Sequence, residues 1–163
     1  MCGFTDADWA GSPTDRNITS GGIFSIGSTV VSWYSRKLRS VALSSAEAEY
    51  MATSLTACEA IWMRNILVRL FGSHLDPTVI YCDNQSCIKI SFNPVFHDIS
   101  KHIDIWYHHI RDCVQWKIML LSYIPMEDQD ADILTKALTR SKFEYHRGRI
   151  RVADNPYLFE REC

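Results

Sequence analysis

Four carboxylates in this 163-residue chain stand where an acid does more than keep a surface wet. Asp6 interrupts the apolar run Cys2 to Trp9, and Glu49 lies just inside a long amphipathic stretch. Asp83 ends the β-rich run Thr78 to Cys82, and Asp132 opens a segment beyond the last apolar run. From Asp6 to Glu49, Asp83 and Asp132 the successive intervals are 43, 34 and 49 residues, so only a folded chain can gather them. Carboxylates converging in one cleft repel one another and stay ionised only beside cations. Hard divalent ions such as Mg2+ and Mn2+ take oxygen ligands of this kind.

Neighbouring acids make the assignment specific. Glu47 and Glu49 are two residues apart on a helix, roughly 200° around its axis, so they cannot face one site together. Ser44 and Glu47 have capping-box spacing, which leaves Glu49 free to point at a metal. Asp6 and Asp8 share a strand face, so spacing alone leaves both open. Asp130 and Asp132 pose the same ambiguity.

The elements that must position these groups follow from periodicity and turn residues. Cys2 to Trp9, Gly21 to Ile26 and Thr29 to Tyr34 read as three strands with tight connections, an antiparallel meander. From Ser44 to about Leu70 the period changes, and Ala48, Met51, Leu55, Cys58, Trp62 and Ile66 form a helical stripe expected to be buried. Thr78 to Cys82 reads as a buried strand, and Asp83 to Ser86 opens a short helix. Helices are predicted for Lys101 to Trp116, Ala131 to Leu138 and Phe143 to Ile150, with a strand from Ile118 to Ile124. That order implies an α/β fold, a mixed sheet with helices packed on it. Residues 1–150 are read as one domain and 151–163 as a C-terminal tail.

Composition limits the partners. Seventeen Lys and Arg against 19 Asp and Glu give a net charge of −2, which excludes a nucleic-acid binder that works by its own basic excess. Divalent cations held by the acids would shift that balance toward positive at the site itself. The six cysteines show no C-x-x-C spacing and no signal-peptide pattern precedes them, so reduced thiols and an intracellular protein are expected. Apolar stretches such as Ile118 to Leu121 fall far short of the ~20 residues needed to cross a bilayer. His97, His102, His108 and His109 do not make a zinc signature. Trp62, Trp106, Tyr107 and Trp116 read as core or helix-packing groups rather than base-stacking platforms.

Longer blocks carry a resemblance. Phe4 to Gly11, Thr19-Ser20-Gly21, Ser32-Trp33, Ser44 to Tyr50, Tyr81 to Ser86, Asn93 to His97, Lys101-His102-Ile103 and Ala131 to Lys136 follow one another in order over residues 3 to 150. Together they resemble the ribonuclease H domain of copia-type retrotransposon polyproteins. The resemblance implies a mixed five-stranded sheet flanked by helices. It also implies an acidic set, falling on Asp6, Glu49, Asp83 and Asp132, that binds two Mg2+ (or Mn2+) and hydrolyses the RNA strand of an RNA/DNA hybrid, leaving 5′-phosphate ends. It favours Asp6 over Asp8 and Asp132 over Asp130. Ser45, Asn84 and Gln85, in the same blocks, are the expected readers of backbone and minor groove, where 2′-hydroxyls mark RNA. Arg36, Lys37 and Arg39 form a local basic patch suited to phosphates.

The implied partners are the hybrid and the reverse transcriptase region of a parent polyprotein, without a membrane, in a cytoplasmic virus-like particle or the nucleus. Departures accompany the match: no His occurs among the eight residues 124–131 before Asp132, Ile99-Ser100 precede Lys101, Ala137 stands where Pro is usual, and Asp130 where an apolar residue is usual. They motivate a rival of another class, a host-expressed retroelement fragment that works as a protein-interaction or regulatory module. A nuclease on the same fold that cuts DNA duplexes as readily as hybrids is the third reading.

Overall fold

A computed structural model describes residues 1–9, 17–38, 40, 42, 44–72, 75–92 and 104–152, without the side chains of 104–108. Three strands open the chain, β1 (Cys2–Asp8), β2 (Ile18–Ile26) and β3 (Thr29–Leu38). Only Gly27 and Ser28 separate the Ile26–Thr29 pair, and Gly27 at φ +60° supplies the positive φ that so tight a hairpin needs. Helix α1 (Ser45–Phe71) follows. The Ser44 hydroxyl accepts from the Glu47 amide at 3.2 Å, and Gly72 in the left-handed region ends the helix. Strand β4 (Thr78–Cys82), helix α2 (Gln85–Phe92), helix α3 (Asp104–Gln115) and strand β5 (Met119–Tyr123) complete the parallel half. Two 3-10 turns, Met126–Asp128 and Asp130–Leu134, then lead to α4 (Arg140–Arg149).

The five strands form one sheet in the order β3-β2-β1-β4-β5. β1, β2 and β3 pair antiparallel, whereas β4 pairs parallel with β1 and with β5. The mixed α/β architecture expected from the element order is therefore present. Phe24, Tyr50, Ile80, Ile110 and Met119 centre the main core cluster between sheet and helices. Arg64 of α1 pins the approach to β4 by donating to the carbonyl of Leu75 at 2.9 Å and to Thr78 Oγ1 at 3.1 Å.

Three expectations need correction. Cys58, Trp62 and Ile66 are exposed; the inward face of α1 instead carries Thr53, Thr56, Ala57, Ala60 and Met63. That face is built from small and hydroxyl side chains, so apolar periodicity passes over it. Thr56 Oγ1 lies 2.9 Å from Thr5 Oγ1 and 2.8 Å from the Tyr34 hydroxyl, a polar seam between helix and sheet. Trp62 and Trp116, expected in the core, are exposed, while the side chains of Trp106 and Tyr107 lie outside the described residues. Residues 131–138 form no α-helix, because the chain tightens into the 3-10 turn Asp130–Leu134 held against β2. Of the proposed tail, 153–163 also lie outside the described residues, as do Ile99, Ser100, His97 and His102.

Candidate active site

The parallel register brings two of the four acids level. Phe4 pairs with Tyr81 across β1 and β4, so Asp6 and Asp83, each two residues further on, reach the same carboxyl edge of the sheet. β1 has an antiparallel neighbour on one side and a parallel one on the other, and the carboxyl ends of strands at such a switch point are the usual place for a site. Alternation sets what comes from each face. Thr5 turns toward α1, which delivers Glu49, while Asp6 turns toward the 3-10 turn that delivers Asp132.

Asp6, Glu49 and Asp132 are buried and Asp83 is half-buried. One oxygen each from Asp6, Asp83 and Asp132 lie within 4.8 Å of one another. A second group at the same spacing joins Glu49, Asp83 and the Cys82 sulfur, so Asp83 belongs to both. Asp8 and Asp130 enter neither group. Asp130 is turned away, its Oδ1 2.9 Å from His146 Nδ1 and 3.0 Å from Arg149 Nε of α4.

Crowding four acids has its electrostatic signature. Burial, followed by the charges of Asp6, Cys82 and Asp83, pushes the Glu49 carboxyl well above its ordinary value, with the Ala7 backbone pulling the other way. Burial and Asp6 likewise raise Asp83. Burial lifts Asp132 to about 6 against the opposing pull of Lys136. Lys136 Nζ lies 2.8 Å from Asp132 Oδ1 and 3.7 Å from Asp6 Oδ2. Burial lowers this amine's pKa, but the summed attraction of Asp6, Asp132 and Asp83 outweighs it and holds the amine above its ordinary value.

The rest of the support comes from residues that motif reasoning did not single out. The Thr135 hydroxyl donates to Asp6 Oδ2. Buried Gln129 donates to the Thr5 carbonyl at 2.9 Å and accepts from the Ala131 amide, so one side chain joins β1 to the Asp132 turn. Thr135 and Lys136 close the block Ala131 to Lys136, but nothing in the sequence marks them as partners of Asp6 and Asp132. Ser45 opens α1 in an exposed position one turn before Glu49. Asn84 follows Asp83 and accepts from the Cys87 amide at 3.0 Å, capping α2, and Gln85 is its exposed first residue. Arg36 stands apart from the acids, 3.8 Å from Glu59 and stacked over Tyr34, and Arg39 lies outside the described residues.

No protein-family model matches the sequence. The chain is 42% identical over 142 residues to the retrovirus-related Pol polyprotein from transposon TNT 1-94 of Nicotiana tabacum, which covers 87% of this chain and 11% of that one. It is 40% identical over 153 residues to the corresponding polyprotein from transposon RE1 of Arabidopsis thaliana, covering 94% of this chain and 10% of that one. Among solved structures, LC11-RNase H1 in complex with an RNA/DNA hybrid superposes with TM-score 0.59 at 13% identity over 82% of this chain and 92% of that chain. The chain belongs with the ribonuclease H domains of copia-type Pol polyproteins. This ribonuclease H domain spans about a tenth of the length of the curated relatives it matches. Its fold also recurs within the prototype foamy virus protease-reverse transcriptase, at TM-score 0.54 and 15% identity over 94% of this chain and 21% of that one.

The donor set of this ribonuclease H domain fits divalent cations. Glu49 Oε2 and Asp83 Oδ1 are buried acceptors without a hydrogen-bond partner, and buried lone pairs of that kind are costly unless a cation completes them. All four groups are hard oxygen donors, the chemistry Mg2+ and Mn2+ select. Cys82, its thiol pushed up by Cys87 and by burial, offers a soft sulfur that such hard ions do not select.

Proposed function

We propose that this chain is a metal-dependent endoribonuclease acting on the RNA strand of RNA/DNA hybrids, with Asp6, Glu49, Asp83 and Asp132 holding two Mg2+ or Mn2+ ions. The observation that carries this reading is the oxygen cluster of Asp6, Asp83 and Asp132 with Glu49 close to the same Asp83, and unsatisfied buried acceptors in both Glu49 and Asp83. When bound, the ions would activate a water for in-line attack on phosphorus and stabilise the leaving 3′-oxygen, giving a 5′-phosphate and a 3′-hydroxyl. The protein's task is to hold carboxylates in place. Thr135 fixes one oxygen of Asp6, and Gln129 ties the Asp132 turn to β1. No side-chain nucleophile is required.

Ser45, Asn84 and Gln85 adjoin Glu49 and Asp83, where they would meet the backbone and minor groove of a hybrid and sense its 2′-hydroxyls. The similarity to Pol polyproteins supports a setting beside a reverse transcriptase region, during reverse transcription. The test uses labelled hybrid, DNA duplex and RNA duplex of one sequence, with Mg2+ or with EDTA. The chain is expected to cut only the RNA of the hybrid, only with metal, and not at all as Asp83→Asn. An intact hybrid, equal cutting of DNA duplex, or unimpaired Asp83→Asn would overturn the proposal.

A further inference from the structure

Lys136 is the one cation that enters the acid cluster among the described residues. Its amine contacts both Asp6 and Asp132, the two acids buried most deeply beneath the Asp132 turn. A third of its side chain remains open to solvent, so it reaches the buried carboxylates from the outer side of the site. Its backbone is fixed, because the Lys136 amide donates to the Asp132 carbonyl at 3.2 Å and Thr135 just before it grips Asp6. The side chain is not fixed in the same way. Asp132 Oδ1 meets the amine through charge, without a well-angled hydrogen bond, and a lysine is a point charge on a flexible stem.

The oxygens of Asp6, Asp83 and Asp132 lie within 4.8 Å of one another, and the Lys136 amine sits against two of these three groups. A divalent ion entering the same oxygens must share them with this amine or dislodge it. Once dislodged, the amine stays tethered beside Asp132 with a third of its side chain already open to solvent, within reach of a phosphodiester bound at the metals. An ammonium there attracts phosphate as a point charge.

We propose that Lys136 is a built-in counter-cation that holds the metal-free acids together, gives way to the divalent ion, and then contacts the substrate backbone. This assignment rests on the metal-centre reading above. It predicts that removing the charge strengthens metal binding while weakening hybrid binding, a pairing that a merely structural ion pair would not give.

The test uses the whole chain as Lys136→Gln, Lys136→Met and Lys136→Arg, each checked for folding by circular dichroism. Mn2+ alone is first titrated into each, with no nucleic acid. Loss of two partly exposed charge contacts should tighten the first Mn2+ affinity by on the order of tenfold in the Gln and Met variants. Lys136→Arg should bind Mn2+ like the parent. Next, a hybrid with uncleavable methylene-bridged RNA linkages is bound in saturating Mn2+ at several salt concentrations. The Gln and Met variants should bind more weakly, with a salt slope reduced by about 1, and Arg should keep the parent slope. Unchanged or weaker Mn2+ affinity, or an unchanged slope, in a folded neutral variant would overturn the proposal for Lys136. Absence of Mn2+ binding by the parent would overturn the metal centre itself, so the two failures are distinguishable.

Discussion

Gly21 stands directly opposite Asp6 in the antiparallel β1–β2 pair, and its lack of a side chain is what allows the Asp132 turn to close over Asp6. A Cβ at position 21 would lie 2.7 Å from Thr135 Cγ2, 3.0 Å from Leu134 Cβ and 3.2 Å from the Ala131 carbonyl. Backbone lies on one side of that methyl and the Asp6 partner Thr135 on the other, so the turn itself must shift.

Gly21→Ala is therefore expected to destabilise the fold by about 1–3 kcal/mol, as overpacking does. Because displacement of a reacting group by about 1 Å costs up to 10²-fold in rate, hybrid cleavage should fall by more than the stability loss explains. At Gly148 in α4 an added methyl would meet nothing within 4 Å, so Gly148→Ala should be neutral or stabilise by up to about 1 kcal/mol. Urea unfolding and cleavage rates of the two variants check this. Equal behaviour of the two would contradict the close-approach argument.

The raised carboxylates give stability a definite pH dependence. In the metal-free chain Asp132 releases its proton at about 6, against about 3.9 when unfolded. The folded state then binds the proton more tightly, so this contribution is complete below about pH 4 and is lost as pH rises through about 6. Glu49 and Asp83 are shifted in the same direction and add to the loss. In EDTA, the Tm of the parent should fall relative to Asp132→Asn between pH 4 and 7, and Mg2+ should reduce that fall. Parallel Tm profiles for parent and variant would sink the prediction.

Asp130 anchors α4 rather than a metal. His146, almost fully buried, and Arg149 both hold it, at 2.9 and 3.0 Å. Removing His146 leaves buried Asp130 short of a hydrogen-bond partner at a cost of about 1–3 kcal/mol, so His146→Ala should lower Tm by several degrees. The exposed Arg140–Glu144 pair on the same helix should matter little, and Glu144→Ala should leave Tm within experimental error. Thermal melts of both variants decide it; similar Tm values would contradict the anchor.

Much of this arrangement was legible in the sequence because strand ends and turn residues are local signals. The acids at the ends of β1 and β4 followed from them; the capping spacing of Ser44 matches the bond it accepts from the Glu47 amide, and Glu49 rather than Glu47 lies beside Asp83. What remained hidden depends on contacts between distant elements. Asp130 looked like drift in a motif because its partners His146 and Arg149 lie 16 and 19 residues further on. The inward face of α1 stayed hidden because Thr53, Thr56 and Ala57 bury polar or small groups, which carry little hydrophobic signal. Gln129 and Thr135 gained their roles only when the segment after β5 tightened into a 3-10 turn against Gly21.

The central claim is that four acids from four separate elements form one divalent-metal centre. Mn2+ titration of the purified, metal-free chain, followed by electron paramagnetic resonance, tests it most directly. Two ions per chain are expected for the parent, and loss of at least one for Asp83→Asn, which removes the carboxylate that lies close both to Glu49 and to Asp6 and Asp132. A parent that binds no Mn2+, or an Asp83→Asn variant that binds it with unchanged stoichiometry and affinity, would contradict the account.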